Sequence, residues 1–246
     1  MIHWLKQLEM EMDIEILFAC EAGSRAWGME SLSSDYDIRF IYKHNDFRRY
    51  LSLNQPREVI EKKEPFDAVG WDLMKTLKLF RKSNPSLFEW IQSPIYYVNN
   101  YSFAEELKGL IIENYSLYSL FMHYHSICTR NLREIQSKSL NDRRQKQLIY
   151  ALRSFLIARE IVHYQDLSFV HIKNPINTDV EGLNKYYNEL VDAKRNQLLI
   201  SVQRADELQY LLENEQILLL EKAETLPKGQ DITLQLNTWL WKLLGV

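Results

Sequence analysis

Residues 14–42 read IEILFACEAGSRAWGMESLSSDYDIRFIY, and the order of these signals decides the fold. Ile14–Glu21 is mostly apolar and rich in β-formers, the pattern of a strand. Gly23-Ser24 then punctuates the chain before a short segment able to start a helix. Ten residues lie between Ser24 and Asp35, where a second strand is predicted over 35–42 (DYDIRFIY). Side chains alternate faces along a strand, so Asp35 and Asp37 are predicted to point to the same side. Two such carboxylates repel each other without a cation. Oxygen ligands of this kind suit Mg²⁺, which is usually held by one or two carboxylates plus substrate phosphates. Gly23 lets the backbone approach a phosphate closely, free N–H groups at a helix start favour an anion, and the Ser24 hydroxyl adds a donor. A Gly-Ser turn or an Asp-x-Asp alone is common in loops. The coupled pattern predicts a phosphate cradle beside a metal-binding carboxylate pair.

Outward from that segment, residues 3–12 read as an amphipathic helix. Further short strands are predicted over 59–62 and 66–71. Asp72 reads as the N-cap of a helix through Leu73, Leu77 and Phe80. Asn84-Pro85 opens another, with Pro where its missing N–H does no harm, and Ser93-Pro94 closes it. Beyond about residue 102 the strand signal disappears. Helices are predicted over 102–113, 116–136, 143–164, 180–197, 200–224 and 231–244. Leu148, Leu152, Phe155, Leu156 and Arg159 show the spacing of three and four that marks one helix face. The expected division is a mixed head over residues 1–100 and an all-helical domain over 101–246.

Composition narrows the function classes. With 246 residues the chain forms one or two domains, and seven Gly and six Pro leave no room for long flexible linkers. A net charge of −3 excludes a polycationic nucleic-acid coat but not a local basic groove. Residues 130–159 are such a candidate, with eight basic residues (Arg130, Arg133, Lys138, Arg143, Arg144, Lys146, Arg153, Arg159) against two acidic ones. They read either as a solvated helix face or as a groove for a triphosphate or an RNA backbone. Cys20 and Cys128 lie in apolar runs and are expected to be buried free thiols. His123 and His125 are two apart on a helix, about 200° around it, and are not a chelating pair. Trp27 and Trp90 are expected in the core. No signal peptide and no membrane span is apparent, which predicts a cytoplasmic protein.

The segment ACEAGSRAWGMESLSSDYDIRFIY (residues 19–42) resembles the nucleotidyltransferases of the DNA polymerase beta superfamily, whose signature is Gly-Gly/Ser, a spacer, then Asp-x-Asp/Glu. More narrowly it is similar to a bacterial nucleotidyltransferase family associated with RNA repair operons (RlaP-like). Gly70-Trp71-Asp72-Leu73, residues 84–90 (NPSLFEW), Ser93-Pro94 and, more weakly, Tyr150-Ala151-Leu152-Arg153 extend the resemblance over about residues 15–160.

The resemblance implies an α+β fold, with a polymerase-beta-like head followed by a helical substrate-binding domain. It implies a third carboxylate on a neighbouring strand, best matched by Asp67 in PFDAVGW; Asp72 competes, but its place before Leu73 makes it an N-cap first. Asp35, Asp37 and Asp67 would then be the catalytic and metal residues, with Mg²⁺ or Mn²⁺. Gly23, Ser24, Arg25, Arg39 and Arg153 would bind the nucleotide. Arg39 shares the carboxylate face and would pair with a carboxylate or a phosphate, and Glu21 lies near the site. The implied substrate is an NTP, with an RNA end as acceptor and an RNA ligase as partner. Two alternatives stay open: a nucleotide- or RNA-binding regulatory module without turnover, and a protein AMP-transferase.

Overall fold

Five strands form one mixed sheet in the order β3-β4-β2-β1-β5: β1 (Ile14–Glu21), β2 (Asp37–His44), β3 (Val59–Lys62), β4 (Asp67–Asp72) and β5 (Tyr96–Asn99). The β1–β2, β1–β5 and β3–β4 pairs are antiparallel, and β2–β4 is parallel. The computed structural model describes residues 1–32, 34–135, 140–173, 175 and 181–246. The helices are α1 (Ile2–Met12), the single turn α2 (Gly23–Ala26), α3 (Leu73–Phe80), α4 (Pro85–Ile91), α5 (Phe103–Asn114) and α6 (Leu117–Glu134). They continue with α7 (Asp142–Tyr164), α8 (Glu181–Arg195), α9 (Val202–Lys222) and α10 (Thr233–Leu244). The fold class is therefore α+β, a five-stranded mixed sheet with helices and then a largely helical region.

The chain divides into two compact units. The first comprises Met1–Ala26, Asp35–Tyr115 and Gln230–Val246; the second comprises Trp27–Ser34 and Ser116–Gly229.

In the first unit, alternation along β2 decides the packing. Ile38, Phe40 and Tyr42 are buried with Leu5 and Leu8 of α1, Ile16 and Ala19 of β1, Ile60 and Ala68. Asp37 and Arg39 take the intervening positions and stay partly exposed. Gly70 on β4 is needed by this core, because a Cβ there would come 2.1 Å from the Phe40 ring. Asp72 ends β4 and caps α3, its Oδ1 accepting from Met74 N at 2.8 Å. Its Oδ2 accepts from the Tyr50 hydroxyl at 2.6 Å, and burial pushes its carboxyl above the usual range. Trp90 is buried and stacks on Trp71 at 3.8 Å. β5 has no counterpart among the sequence expectations; it is a four-residue strand at the sheet edge. α10 packs here too: Trp239 stacks on Phe103 at 5.2 Å and donates to Glu106 at 2.6 Å.

In the second unit α7 is the central helix. Leu148, Leu152, Phe155 and Leu156 are buried as the spacing predicts, and so are Ile149, Ile157 and Ile161 on its other sides. Arg144, Gln145, Arg153 and Glu160 are buried with them. Cys20 and Cys128 are free and buried, and burial raises both thiols, that of Cys128 to about 12. His125 meets the Gln216 carbonyl at 3.2 Å, while His123 is exposed. No described helix is long and apolar enough to cross a membrane.

Candidate active site

The site begins where β1 stops. Ala22 N donates to the Asp37 carbonyl at 2.8 Å, and the chain then turns at Gly23 with φ of +60°. A Cβ on Gly23 would lie 2.2 Å from Asp37 Oδ2. The turn and the Asp37 carboxylate thus share a space that only glycine leaves open. Ser24 and Arg25 follow within α2, which is a single turn. Its contribution is the individual N–H groups and not an accumulated helix dipole.

Asp37 is the first residue of β2, and its register partner on the parallel strand β4 is Asp67. Residues on one rung of a sheet project to one face, so these two carboxylates are lateral neighbours. Arg39, two residues along β2, spans them. Its Nη2 lies 3.3 Å from Asp37 Oδ1 and 3.8 Å from Asp67 Oδ2, and its Nη1 donates to the Asp67 carbonyl at 3.0 Å. Lys63 adds a second cation at 3.2 Å from Asp67 Oδ1.

Asp35 departs from the expected geometry. The strand starts at Asp37, not at residue 35, so alternation does not place Asp35 beside Asp37. The physical reason lies in β1: it ends at Glu21, whose register partner is Ile38, so among the described residues no strand pairs with the chain before Asp37. Asp35 is exposed, and its carbonyl accepts from Arg25 Nε at 3.2 Å. The same guanidinium lies 4.0 Å from the Tyr36 ring centroid. Arg25 therefore fastens the segment entering β2.

Glu21 holds the site from behind. It is 1% exposed; Oε1 accepts from Asp37 N at 2.8 Å and Oε2 from the Tyr97 hydroxyl at 2.5 Å. Burial and the Glu21 carboxylate both push the Tyr97 hydroxyl well above its usual range. An acid directly after the apolar run over residues 16–20 is the signal in the sequence, although nothing in the sequence points to Tyr97 as its partner.

The side chains of Asp37 and Asp67 offer only carboxylate oxygens, the kind a hard divalent cation takes. Among the described residues no three His, Cys, Asp or Glu side chains converge. The donor set therefore fits a cation held by two carboxylates and completed by substrate phosphate oxygens, with the guanidinium of Arg39 now spanning the pair.

Gly23, Ser24, Arg25, Asp35, Asp37, Arg39 and Asp67 all belong to the first unit, and Arg153 belongs to the second. Arg153 is 3% exposed; its Nη2 donates to the Ile172 carbonyl at 3.2 Å and its guanidinium lies 3.8 Å from the half-buried Trp27 ring. Within the basic stretch, Arg144 is also buried, paired with Asp206 at 2.6 Å and Gln209 at 3.1 Å. It is a packing residue of the helical unit, which corrects its reading as a groove cation. Arg130, Arg133, Arg143 and Lys146 are exposed, and Lys138 lies outside the described residues.

Comparison with known proteins bears on this geometry. The family model for RlaP, described as the RNA repair pathway DNA polymerase beta family, matches residues 1–242. A Bacillus subtilis (strain 168) protein described as uncharacterized protein YcgL is 34% identical over 245 residues, covering 96% of this chain and 92% of that protein.

Proposed function

Because this chain belongs to the RNA repair pathway DNA polymerase beta family, we propose that it transfers a nucleotidyl group from an NTP to the hydroxyl of an RNA end. The observation that carries the reading is the Asp37–Asp67 rung with Gly23 against one of its carboxylates. In the reaction the acceptor oxygen bonds to the α-phosphorus, the bond from that phosphorus to the bridging β-phosphate oxygen breaks, pyrophosphate leaves with the bonding pair, and the acceptor's proton passes to water.

Asp37 and Asp67 would hold Mg²⁺ or Mn²⁺, with Asp35 as a further carboxylate. Such an ion supplies neutralisation of phosphate charge and a lower pKa for the bound acceptor hydroxyl. The backbone at Gly23 and the Ser24 hydroxyl bind the phosphates at close approach. Arg39 is placed to exchange a carboxylate for a phosphate oxygen when substrate arrives. Arg25 keeps Asp35 and Tyr36 at the turn, and Glu21 fixes the Asp37 backbone. Catalysis of this kind is mostly positioning and charge neutralisation, which the ends of two adjoining interior strands provide.

The test is incubation with each of the four α-labelled NTPs, Mg²⁺ or Mn²⁺, and RNAs of defined ends. Label is expected in RNA, with pyrophosphate released. Asp37→Asn and Asp67→Asn should each lower transfer at least about 100-fold with little change in melting temperature. Full turnover in either variant, or no label in any RNA, would overturn the reading.

A further inference from the structure

The second unit carries a cationic cluster around Trp27 and Gly28. The buried Arg153 guanidinium lies against the Trp27 ring. Arg195 donates from Nη2 to the Gly28 carbonyl. A Cβ on Gly28 would lie 3.8 Å from Arg195 Nη2 and 3.9 Å from Lys173 Cε, so two cationic side chains flank this glycine. Lys173 and Arg195 are both exposed and form no ion pair among the described residues. A guanidinium has five N–H donors, and the Gly28 carbonyl takes one of Arg195's.

Tyr187 supplies an independent observation. The residue is 3% exposed, yet its hydroxyl has no hydrogen-bond partner among the described residues. Burial pushes this hydroxyl up to about 12, while Arg153 and Arg195 pull it the other way, which places both guanidinium groups near it. A buried hydroxyl left unpaired is costly and rare in folded proteins. A phenol hydroxyl can donate or accept. The cations around it already carry N–H donors, so the group this cluster lacks is an acceptor, and among cations an acceptor is best an anion. A carboxylate or an internal phosphodiester brings a single negative charge. A phosphate monoester brings close to two at neutral pH and offers three oxygens to converging donors.

We propose that Arg195, Lys173 and Tyr187 form a binding site for a phosphate monoester, with Arg153 as fixed charge beside them. The phosphate group is the shared chemistry of two sources, the terminal phosphate of an RNA end and that of a free nucleotide. Only the choice between these sources rests on the proposed function; the site itself does not depend on turnover.

The experiment measures equilibrium binding without metal. Its probes are an oligoribonucleotide with a terminal phosphate against its hydroxyl-ended twin, and a nucleotide against its nucleoside. In the native protein the phosphate should tighten one of these pairs by about tenfold, and the pair that responds identifies the source. Arg195→Gln with Lys173→Gln should erase that preference. Tyr187→Phe should reduce it about three- to tenfold without lowering the melting temperature, because the hydroxyl it removes bonds to nothing. Asp37→Asn should keep the preference, so a failure of the carboxylate reading leaves this result intact. No phosphate preference for either pair, or a preference that survives both sets of variants, would overturn the site.

Discussion

Gly23→Ala asks whether the turn and the Asp37 carboxylate occupy one space. Gly23 sits at φ of +60°, and an added Cβ would come 2.2 Å from Asp37 Oδ2. The left-handed backbone alone costs an L-residue about 1–2 kcal/mol. The carboxylate must also leave its place, and an off-rotamer side chain adds about 0.5–1.5 kcal/mol. It gives up the 3.3 Å pair with Arg39, whose two side chains are 18% and 29% exposed. Solvent screening holds that pair to at most about 1 kcal/mol. The variant should therefore lose about 2–4 kcal/mol. Gly245→Ala is the matched control: its φ is +75° and a Cβ there would meet nothing within 4 Å. It should lose the backbone part alone, about 1–2 kcal/mol. Urea unfolding of both variants gives the difference from midpoints at constant slope. Mn²⁺ binding and transfer should fall in Gly23→Ala and persist in Gly245→Ala. Equal stability losses together with equal Mn²⁺ affinity would refute the shared-space argument, since the backbone term would then account for both.

Four further outcomes are expected. Burial raises the Glu160 carboxyl from 4.5 to about 7, so the folded state keeps a proton that the unfolded chain has lost. Stability should then decline as pH rises from about 4.5 to 7 and level off above, by about 3 kcal/mol in all, and Glu160→Gln should flatten that urea-midpoint profile. Arg143→Gln with Lys146→Gln should leave stability within about 0.5 kcal/mol and lower the salt slope of RNA binding by about 0.7–0.9 for each phosphate these cations neutralise. Arg144→Ala should instead cost about 1–3 kcal/mol of stability by removing the bonds to Asp206 and Gln209, read by urea unfolding. Asp72→Ala should cost about 2–4 kcal/mol in the same assay, combining a missing N-cap with a Tyr50 hydroxyl left without an acceptor.

The elements of this chain were legible where one periodicity governs a long run. β1, α7 and the caps at Asp72 and Asn84 follow from apolar spacing and from side chains that accept backbone N–H groups. β5 escaped because four residues carry no clear alternation and their place is set by pairing with β1. The packing of α10 against α5 escaped for a different reason. A helix shows in sequence that it has an apolar face, and Trp239 and Leu240 provide one, but not which partner covers it. Phe103 and Glu106, more than 130 positions earlier, fix that by a ring stack and an indole hydrogen bond. The charge run over 130–159 does not resolve into single roles for a related reason: charge counting cannot tell Arg143, which faces water, from Arg144, which turns inward to Asp206 and Gln209.

The candidate site divides along the same line. Arg39 on the face of Asp37 was legible, because strand alternation alone requires it. Asp67 beside Asp37 depends on β4 joining β2 in parallel with these residues on one rung, a long-range fact that spacing within either strand does not contain. Asp35 marks the limit of the alternation rule, which holds only where the ladder exists. The two aspartates of the motif consequently answer to different constraints. Asp37 is fixed through its own backbone, which bonds to Glu21 and Ala22, and its side chain lies against Gly23 and Arg39. Asp35 is exposed, and its side chain makes no hydrogen bond or ion pair among the described residues. The fold asks nothing of a carboxylate at position 35, so a chemical role there would act on something the protein binds and not on the protein itself. Replacing Asp35 should accordingly separate function from stability more cleanly than replacing Asp37, whose side chain serves the turn as well as the site.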